Sequence, residues 1–432
     1  MFISDCLGIN EAGHLTIGGV DTIMLAEKYG TPLYVMDEDN IRRSCSLYKK
    51  SIDKYYDGQG LVTYASKAFC CKEICKVAAS EALGLDVVSA GELYTAHEAG
   101  FPMEKVFFHG NNKTMEELTL ALEYGVGRIV VDNLTELAFL NTLARSQGKT
   151  ANIFFRIKPG IDAHTHDFVR TGQIDSKFGL ALETGEAMEA VKEALGYENI
   201  CLKGLHCHIG SQIFDIEPFE HAAQVMLGFI AQIKTETGYE IGELNLGGGF
   251  GIKYITEHDP VAYDNYMQKV SVVVNNTCKD LAIKRPFIII EPGRSIAGPA
   301  GITLYTVGAV KEIPHIRTYV SIDGGMTDNP RYALYQSEYE CLVASRAGEP
   351  REKIVTIAGK CCESGDLIGE GMHIQDVKPG DIIAVLATGA YNYSMSSNYN
   401  RIPKPAVVFV KGGKDRLVVK RETLEDIVRN DL

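Results

Sequence analysis

Apolar runs of strand length alternate with helical patterns through the first two thirds of the chain. The segments between the runs space their apolar residues three and four apart, as in FEHAAQVMLGFIAQIKTETG, which is typical of amphipathic helices. Near-continuous apolar strands separated by helices predict a parallel sheet that is covered on both faces. The predicted strands begin near Leu61 and end near Gly293, and they are LVTYAS, LDVVSA, KVFFHG, RIVVDN, NIFFRI, GLHCHIG, ELNLGGG and FIIIEPG.

Eight strand–helix units favour an α/β fold of the TIM-barrel type, a (β/α)8 barrel. An open, doubly wound sheet is the alternative, because the number of strands does not prove closure. Beyond Arg294 the runs become short and β-branched, as in PAVVFVKGG, and they predict a mostly β domain. We therefore expect an N-terminal segment at 1–36 that joins the β domain, a barrel at 37–297 and a C-terminal β domain at 298–432.

Composition excludes several classes of protein. The 432 residues are 45% hydrophobic and 23% charged, which is ordinary for a globular protein. The net charge of −13 argues against nucleic acid or an anionic membrane as the main partner. The start MFISDCLGIN lacks the features of a signal peptide, and eleven cysteines without a secretion signal predict reduced thiols. We expect a cytoplasmic protein without a metal site, since the adjacent pairs Cys70-Cys71 and Cys361-Cys362 match no zinc motif.

Polar residues interrupt the apolar pattern where the predicted strands end. In a barrel, the carboxyl ends of the strands form the face that carries active sites. Any one of these residues is more simply explained as a helix cap or a solvated side chain, but the set indicates a functional site. Its members are Lys67, Asp86, Ser89, His109, Arg156, His206, His208, Ser211, Gly247 to Gly249, Glu291 and Arg294.

The residue types in this set suggest a cofactor. The bare backbone N–H groups of Gly247–Gly249 can surround a phosphate, and the turn before Arg294 offers a second such cradle. A lysine that ends an apolar strand, Lys67, is expected to lose solvation, so that its neutral amine can attack a carbonyl. Lysine and phosphate cradle together indicate pyridoxal 5′-phosphate, and Glu291 then has a role in keeping the pyridine nitrogen protonated.

The motifs YASKA, HCHIGSQ, LGGGF, EPGR, DGGMTDNPRYALY, CCESGD and GAYNYSMSSNYN occur in this order. Together they resemble the fold-type III pyridoxal-phosphate decarboxylases, and in particular the diaminopimelate decarboxylase family, over roughly Thr31 to Arg401. The resemblance implies an alanine-racemase-like barrel followed by a β domain. It also implies a homodimer with shared active sites and the conversion of meso-2,6-diaminopimelate to L-lysine and carbon dioxide.

The resemblance further implies roles for the matching residues. Lys67 would form the covalent link to the cofactor, and Cys362 would return a proton to the α-carbon after carbon dioxide leaves. The distal amino-acid end of the substrate would bind Arg294, Arg331, Tyr335, Glu363 and Tyr391. The other cofactor-binding residues would be His208, Ser211, Gly248, Gly249, Glu291, Gly293, Arg294 and Tyr391. In the usual arginine motif proline follows the arginine, whereas here Pro330 precedes Arg331.

Three alternatives compete with this prediction. Related decarboxylases act on ornithine, arginine or carboxynorspermidine, but Arg331 and Glu363 offer the two charges that a distal amino-acid group needs. A metal-dependent barrel hydrolase carries its HxH on the first strand and its lysine on the fourth, unlike this chain. An inactive relative that binds a partner protein would have no need of Lys67, Glu291 and Cys362 together.

The interval 159–178 is long for a barrel loop and is predicted to act as a lid over the cofactor. It contains His164 and His166 in a second HxH, for which a loop position is favoured over a metal site.

Overall fold

The computed structural model describes residues 2–161 and 176–432. The chain divides into two compact units. The barrel unit consists of Ser44–Gly251 and Pro260–Gly293. The β unit consists of the chain up to Arg43, Ile252–Asp259 and Arg294–Leu432. Most of the predicted lid, including both of its histidines, lies outside the described residues.

The N-terminal elements begin with a small antiparallel sheet of β1 (Leu7–Ile9), β2 (Leu15–Ile17) and β3 (Val20–Asp21). They continue with α1 (Thr22–Tyr29), β4 (Leu33–Asp37) and α2 (Glu38–Tyr56). The carboxylate of Asp21 accepts a hydrogen bond from the Ile23 N–H at 2.8 Å and so caps the start of α1.

The barrel unit contains a closed parallel sheet. Eight strands form the ring, because β13 pairs with β5 and β8 pairs with β9, while β10 extends β9 outside it. The eight predicted strands and the barrel are therefore confirmed, and closure excludes the open sheet. The strands are β5 (Gly60–Ala65), β6 (Gly84–Val87), β7 (Val106–Phe108), β8 (Arg128–Val131), β9 (Ala151–Lys158), β10 (Leu180–Ala181), β11 (Ile200–His206), β12 (Glu243–Asn245) and β13 (Phe287–Ile290).

The helices of the barrel unit start and stop at recognisable signals. Ser89 accepts a hydrogen bond from the Glu92 N–H at 3.3 Å, so this strand-end residue serves as a helix cap. Gly238 ends α8 with a φ of 74°. Within the described part of the chain, no helix combines the length and the apolar character that crossing a membrane requires. The helices are α3 (Lys72–Ser80), α4 (Ala90–Glu98), α5 (Met115–Tyr124), α6 (Leu134–Ser146), α7 (Glu186–Leu195), α8 (Glu217–Thr237) and α9 (Tyr263–Asp280).

Large apolar side chains fill part of the barrel core. Phe107, Val130, Phe154 and Ile289 form one buried cluster, with the rings of Phe107 and Phe154 edge to face at 5.7 Å. Because this cluster comes from four different strands, it helps to fix their register and thus the side chains at their carboxyl ends.

The β unit is built around a mixed sheet. Its strand order is β18-β17-β15-β14-β4-β20-β21, and β19 pairs with both β14 and β16. The N-terminal strand β4 thus lies between β14 and β20. The sequence patterns missed β16 and β18. The elements are α10 (Arg294–Ala297), β14 (Gly301–Ile313), β15 (Arg317–Ile322), α11 (Arg331–Tyr335), β16 (Cys341–Val343), β17 (Lys353–Ala358), β18 (Leu367–Ile374), β19 (Ile382–Val385), β20 (Ala406–Lys411), β21 (Lys414–Val419) and α12 (Leu424–Val428).

Candidate functional site

Lys67 lies in a short helical turn, Ser66–Ala68, directly after β5. Its side chain is exposed, so the prediction that this lysine loses its solvation in the protein was wrong. The apolar strand that precedes it is buried, but the turn carries the amine out of the core. The Lys67 charge still acts on its surroundings: burial lowers the pKa of His208 well below its usual value, and the Lys67 ammonium adds to this effect.

Glu291, directly after β13, lies among three nitrogen atoms. Asn245 at the end of β12 donates from Nδ2 to Glu291 Oε1 at 2.6 Å, and His206 at the end of β11 bonds Oε2 through Nε2 at 3.2 Å. His109, which follows β7, places its Nε2 at 3.2 Å from Oε1 without a well-directed hydrogen bond. Residues from four barrel strands thus converge on one carboxylate.

The charge state of this group follows from its contacts. Burial raises the pKa of Glu291, but the imidazoles of His206 and His109 outweigh burial and hold the pKa well below its usual value. Burial lowers the pKa of His206 to about 4, so a neutral ring donates to the carboxylate at neutral pH. The site therefore contains a carboxylate that remains ionised although it is almost inaccessible to water.

Asp86, in β6, is a second carboxyl group near Glu291, and its pKa is shifted in the opposite direction. It is buried, and neither of its oxygens makes a well-directed hydrogen bond; His109 Nε2 lies 3.8 Å from Oδ1. Burial, followed by the negative charge of Glu291, raises the pKa of Asp86 well above its usual value. Two neighbouring carboxyls are thus driven to different protonation states by different surroundings.

The glycine-rich turn follows β12 immediately. The Gly248 N–H donates to His208 Nδ1 at 3.3 Å, so the turn and this predicted cofactor-binding residue are linked. A Cβ at Gly248 would lie 2.2 Å from the Glu291 carbonyl oxygen, and one at Gly249, whose φ is 111°, would lie 2.5 Å from the Gly210 carbonyl oxygen. No side chain fits at either position, so the turn packs closely against its neighbours, and the Gly247 N–H is also bonded within the protein, to Asn245 Oδ1 at 2.9 Å.

Two more predicted cofactor residues lie at the same end of the barrel unit. Ser211 is half-buried a few residues after β11. Gly293 ends the EPG segment after β13, and a Cβ there would lie 2.9 Å from the Ala65 carbonyl oxygen, close to the Lys67 turn. The predicted cofactor residues of the barrel unit thus all follow the carboxyl ends of barrel strands.

His109, His206 and Glu291 hold ligand-type atoms within 4.8 Å of one another, a spacing that a metal ion could share. The surroundings favour hydrogen bonding instead. The amide hydrogen of Asn245 points at Glu291 Oε1 and would face any cation bound there. We interpret the cluster as a hydrogen-bonded carboxylate.

In the β unit, two buried arginines share two tyrosine rings. The guanidinium of Arg294 lies 4.6 Å from the ring centre of Tyr391, and its Nη1 donates to the Tyr254 hydroxyl at 2.5 Å. The guanidinium of Arg331 lies 5.4 Å from the same Tyr391 ring and 5.7 Å from that of Tyr254. The predicted substrate residues Arg294, Arg331 and Tyr391 are therefore neighbours, and Tyr391 occupies the left-handed region with a φ of 70°.

Arg331 starts a single helical turn. Pro330 is the N-cap of α11 and has helical backbone angles, so the reversed proline is accommodated by the helix start. Tyr335 ends α11 with its ring centre 5.5 Å from the Arg331 guanidinium. Arg331 Nη2 donates to Ser337 Oγ at 3.2 Å, while Arg331 Nε and the Tyr339 hydroxyl are buried without a well-directed hydrogen bond, which leaves polar capacity for a bound ligand.

Cys362 and Glu363 are exposed on a loop of the β unit, whereas the neighbouring Cys361 is buried. The loop is held through its backbone: the Cys361 N–H donates to Asp366 and the Cys362 N–H to Asn400 Oδ1, each at 2.7 Å. Glu363 Oε1 accepts from the Gly365 N–H at 3.3 Å. Among the described residues, no hydrogen bond or ion pair joins Glu363 to an arginine.

Sequence reasoning missed Asn245 and Tyr254. Asn245 occupies the last position of a buried strand, where an amide without an internal partner is costly, and this was the available signal. Tyr254 lies among many tyrosines, and its sequence context does not distinguish it.

The chain matches a model of the pyridoxal binding domain of pyridoxal-dependent decarboxylases over residues 38–298. It is 51% identical to the diaminopimelate decarboxylase of Bacillus subtilis strain 168, over 100% of this chain and 98% of the relative. The diaminopimelate decarboxylase of Mycobacterium tuberculosis H37Rv is 42% identical, over 97% of this chain and 95% of that protein.

Solved structures agree. The crystal structure of diaminopimelate decarboxylase from M. jannaschii in complex with L-lysine superposes with a TM-score of 0.92 at 37% identity, covering 100% of this chain and 99% of that one. The chain therefore belongs to the pyridoxal-dependent decarboxylases, and among these to the diaminopimelate decarboxylase family.

Proposed function

We propose that this protein converts meso-2,6-diaminopimelate to L-lysine and carbon dioxide with pyridoxal 5′-phosphate as cofactor. The observation that carries the proposal is the ionised carboxylate of Glu291, held by nitrogen atoms at the barrel end that also bears Lys67 and the glycine turn. The names of the relatives and the L-lysine in a similar crystal structure support the choice of substrate.

The barrel unit fits this cofactor. Bound there, pyridoxal phosphate would supply an electron sink for the carbanion that loss of carbon dioxide leaves behind. Glu291 is the anion that a protonated ring nitrogen needs, and Lys67 ends its strand with an exposed amine for covalent attachment. We assign the remaining cofactor contacts to His208, Ser211, Gly248, Gly249, Gly293, Arg294 and Tyr391.

For the substrate, we propose that arginines bind the distal carboxylate. Arg331 is buried among tyrosines, and its Nε has no well-directed hydrogen bond within the protein, which suits a planar anion. Glu363 would receive the distal ammonium, with Tyr335, Tyr391 and Arg294 beside it. Cys362 would donate the proton to the α-carbon, a role that its exposed position permits.

We further propose a homodimer with shared active sites in the cytoplasm. The exposure of Cys362 and Glu363 in the single chain supports a role for a second subunit. The eleven cysteines, all within the described residues, form no disulfide, which suits a reducing compartment. A cofactor-binding domain at 37–297, between an N-terminal segment at 1–36 and a β domain at 298–432, is supported by the range of the family match.

Two measurements test the activity and its cofactor. Borohydride reduction of the holoprotein followed by peptide mapping should label Lys67, and Lys67→Ala should carry no label. Incubation with a panel of diamino acids should release carbon dioxide from meso-diaminopimelate, with L-lysine as product. Labelling of another residue would refute the assigned lysine. Faster decarboxylation of ornithine or arginine would refute the substrate.

Mixing inactive variants tests the shared site. Lys67→Ala and Cys362→Ala subunits, each inactive alone, should regain part of the activity after subunit exchange, because a mixed dimer contains one intact site. Cys361→Ala provides the matched control: its buried thiol should be dispensable for proton donation. Parents that stay inactive after verified exchange would contradict the shared site.

A further inference from the structure

Asn245 makes hydrogen bonds with both ends of its side chain. It is fully buried at the end of β12. Its Nδ2 donates to Glu291 Oε1 at 2.6 Å, while its Oδ1 accepts from the Gly247 N–H at 2.9 Å. One amide thus joins the carboxylate of Glu291 to the first residue of the glycine turn.

Backbone hydrogen bonds hold the amide in this orientation. The Cys207 N–H donates to the Asn245 carbonyl oxygen at 2.9 Å, and the Glu291 N–H donates to the Gly247 carbonyl oxygen at 2.9 Å. Further along the turn, the Gly248 N–H donates to His208 Nδ1. The side-chain amide therefore belongs to a continuous network that includes the acid, the glycine turn and the imidazole.

We propose that Asn245 is a positioning residue that sets two parts of the cofactor site at once: the Glu291 carboxylate for the ring nitrogen and the turn Gly247–Gly249 for the phosphate. This inference rests on the proposed function. Asn245 acts through its two partners, and only an amide of this length offers a donor and an acceptor in the two required directions.

An aspartate at this position distinguishes loss of the hydrogen-bond donor from loss of the side chain's shape. It has the same size as asparagine but donates a hydrogen bond only when it is protonated. The charge of the introduced carboxylate would interact with titratable and charged side chains from the neighbouring strands. These are Glu291 after β13, His206 and His208 at the end of β11, His109 after β7, Asp86 in β6 and Arg156 in β9. The ionised form of the introduced carboxyl would repel Glu291, whereas its protonated form would restore the donor.

The experiment titrates pyridoxal 5′-phosphate into apoprotein at pH 8 and pH 6 and compares wild type with Asn245→Asp and Asn245→Ala. At pH 8 both variants should bind the cofactor about tenfold or more weakly, as expected when a hydrogen bond to a charged group is lost. At pH 6 Asn245→Asp should recover a large part of its affinity relative to wild type, and Asn245→Ala should not. Asn199→Asp is the matched control, because Asn199 donates its amide to the Lys149 carbonyl oxygen just before β11, at the other end of that strand.

Thermal unfolding of each apoprotein establishes that it folds. If Asn245→Asp does not fold, Asn245→Ala alone decides the comparison at pH 8. Wild-type affinity in both variants at pH 8 would overturn the inference, and so would an equal loss for Asn245→Asp at both pH values, which indicates a purely structural role. If wild type and Asn199→Asp fail to bind the cofactor, the proposed function itself is wrong.

Discussion

Each unit contains a carboxyl group that is almost inaccessible to water and lies within a motif of the family. The pKa values of these two groups are shifted in opposite directions. Glu291 of EPGR, in the barrel unit, is surrounded by nitrogen atoms, and its pKa lies well below the usual value. Asp328 of DGGMTDN, in the β unit, accepts hydrogen bonds from the Tyr305 and Thr327 hydroxyls and from the Gly325 N–H. Burial raises the pKa of Asp328 to about 7, despite these three donors.

The difference shows what is needed to keep a buried carboxylate ionised. Hydroxyl and amide donors reduce the cost of burial but do not remove it for Asp328, whereas the imidazoles of His206 and His109 do so for Glu291. Asp328 also shapes its turn, since the Tyr34 hydroxyl donates to its carbonyl oxygen at 2.5 Å. We therefore assign chemistry to Glu291 and a structural role to Asp328, which supports the segment leading to Arg331.

Glu291→Gln tests the role that the comparison gives to the ionised carboxylate of the barrel unit. The variant keeps the shape of the side chain but removes the anion, so the ring nitrogen of the cofactor would lose the counter-charge that we propose for it. Turnover should fall about 10²- to 10⁴-fold, the range found when a group that controls proton placement is lost, while cofactor remains bound. Steady-state kinetics and the absorbance of the holoprotein measure both effects.

Glu243→Gln is the matched control for that loss. Glu243 begins β12, forms an ion pair with Arg128 at 2.7 Å and lies at the opposite end of the strand from Asn245. Its replacement should cost at most about 1 kcal/mol of stability, because the pair is partly exposed, with unchanged turnover. Equal turnover in Glu291→Gln and wild type would remove the role of the carboxylate.

The barrel was predictable because its strands are buried on both faces, so each appears in the sequence as a continuous apolar run. The run at Phe287–Ile290 is typical, and it was assigned correctly. In contrast, β18 contains Gly369 and Gly371, the latter with a φ of 63°, and its pairing with β17 shifts register. Glycine and irregular pairing remove the β-branched alternation on which such a prediction depends.

The site was predictable only as far as chemistry dictates residue type. Lys67 and Glu291 are conspicuous at the ends of apolar strands, and the structure places both at strand ends. The environment of Lys67 was not predictable, because exposure depends on the direction of the turn that follows β5. The role of Asn245 depends on partners 2 and 46 residues away, and sequence spacing does not reveal that they converge.

Asp328→Asn tests the raised pKa of the β-unit carboxyl through the pH dependence of the free energy of unfolding. The pKa of Asp328 is about 7 in the folded protein and about 3.9 when unfolded, so between these values only the folded state keeps the proton. Its contribution to stability therefore decreases as pH rises from about 4 to about 7, by roughly 3–5 kcal/mol in total. The asparagine variant should lack this decrease.

Hydrogen exchange of β14 and β15 peptides at pH 5 and pH 8 measures the effect locally. Tyr305→Phe is a useful companion, because loss of its hydroxyl donor should move the pH window upward. If protection in Asp328→Asn falls with pH as steeply as in wild type, Asp328 is not the group that titrates, and the contrast with Glu291 loses its basis.

Asp86→Asn tests the comparison within the barrel unit itself. Because burial raises the pKa of Asp86 well above its usual value, the acid destabilises the fold increasingly as pH rises above about 4. An amide of the same shape avoids this cost and should stabilise the apoprotein at pH 7, with little difference at pH 4, as measured by urea unfolding. Asp132→Asn should gain less, because Asp132 Oδ2 already accepts from the Gly179 N–H at 3.0 Å. A loss of stability in Asp86→Asn at pH 7 would mean that Asp86 is ionised beside Glu291. Contacts with nitrogen atoms would then not explain a difference in protonation between Glu291 and Asp86.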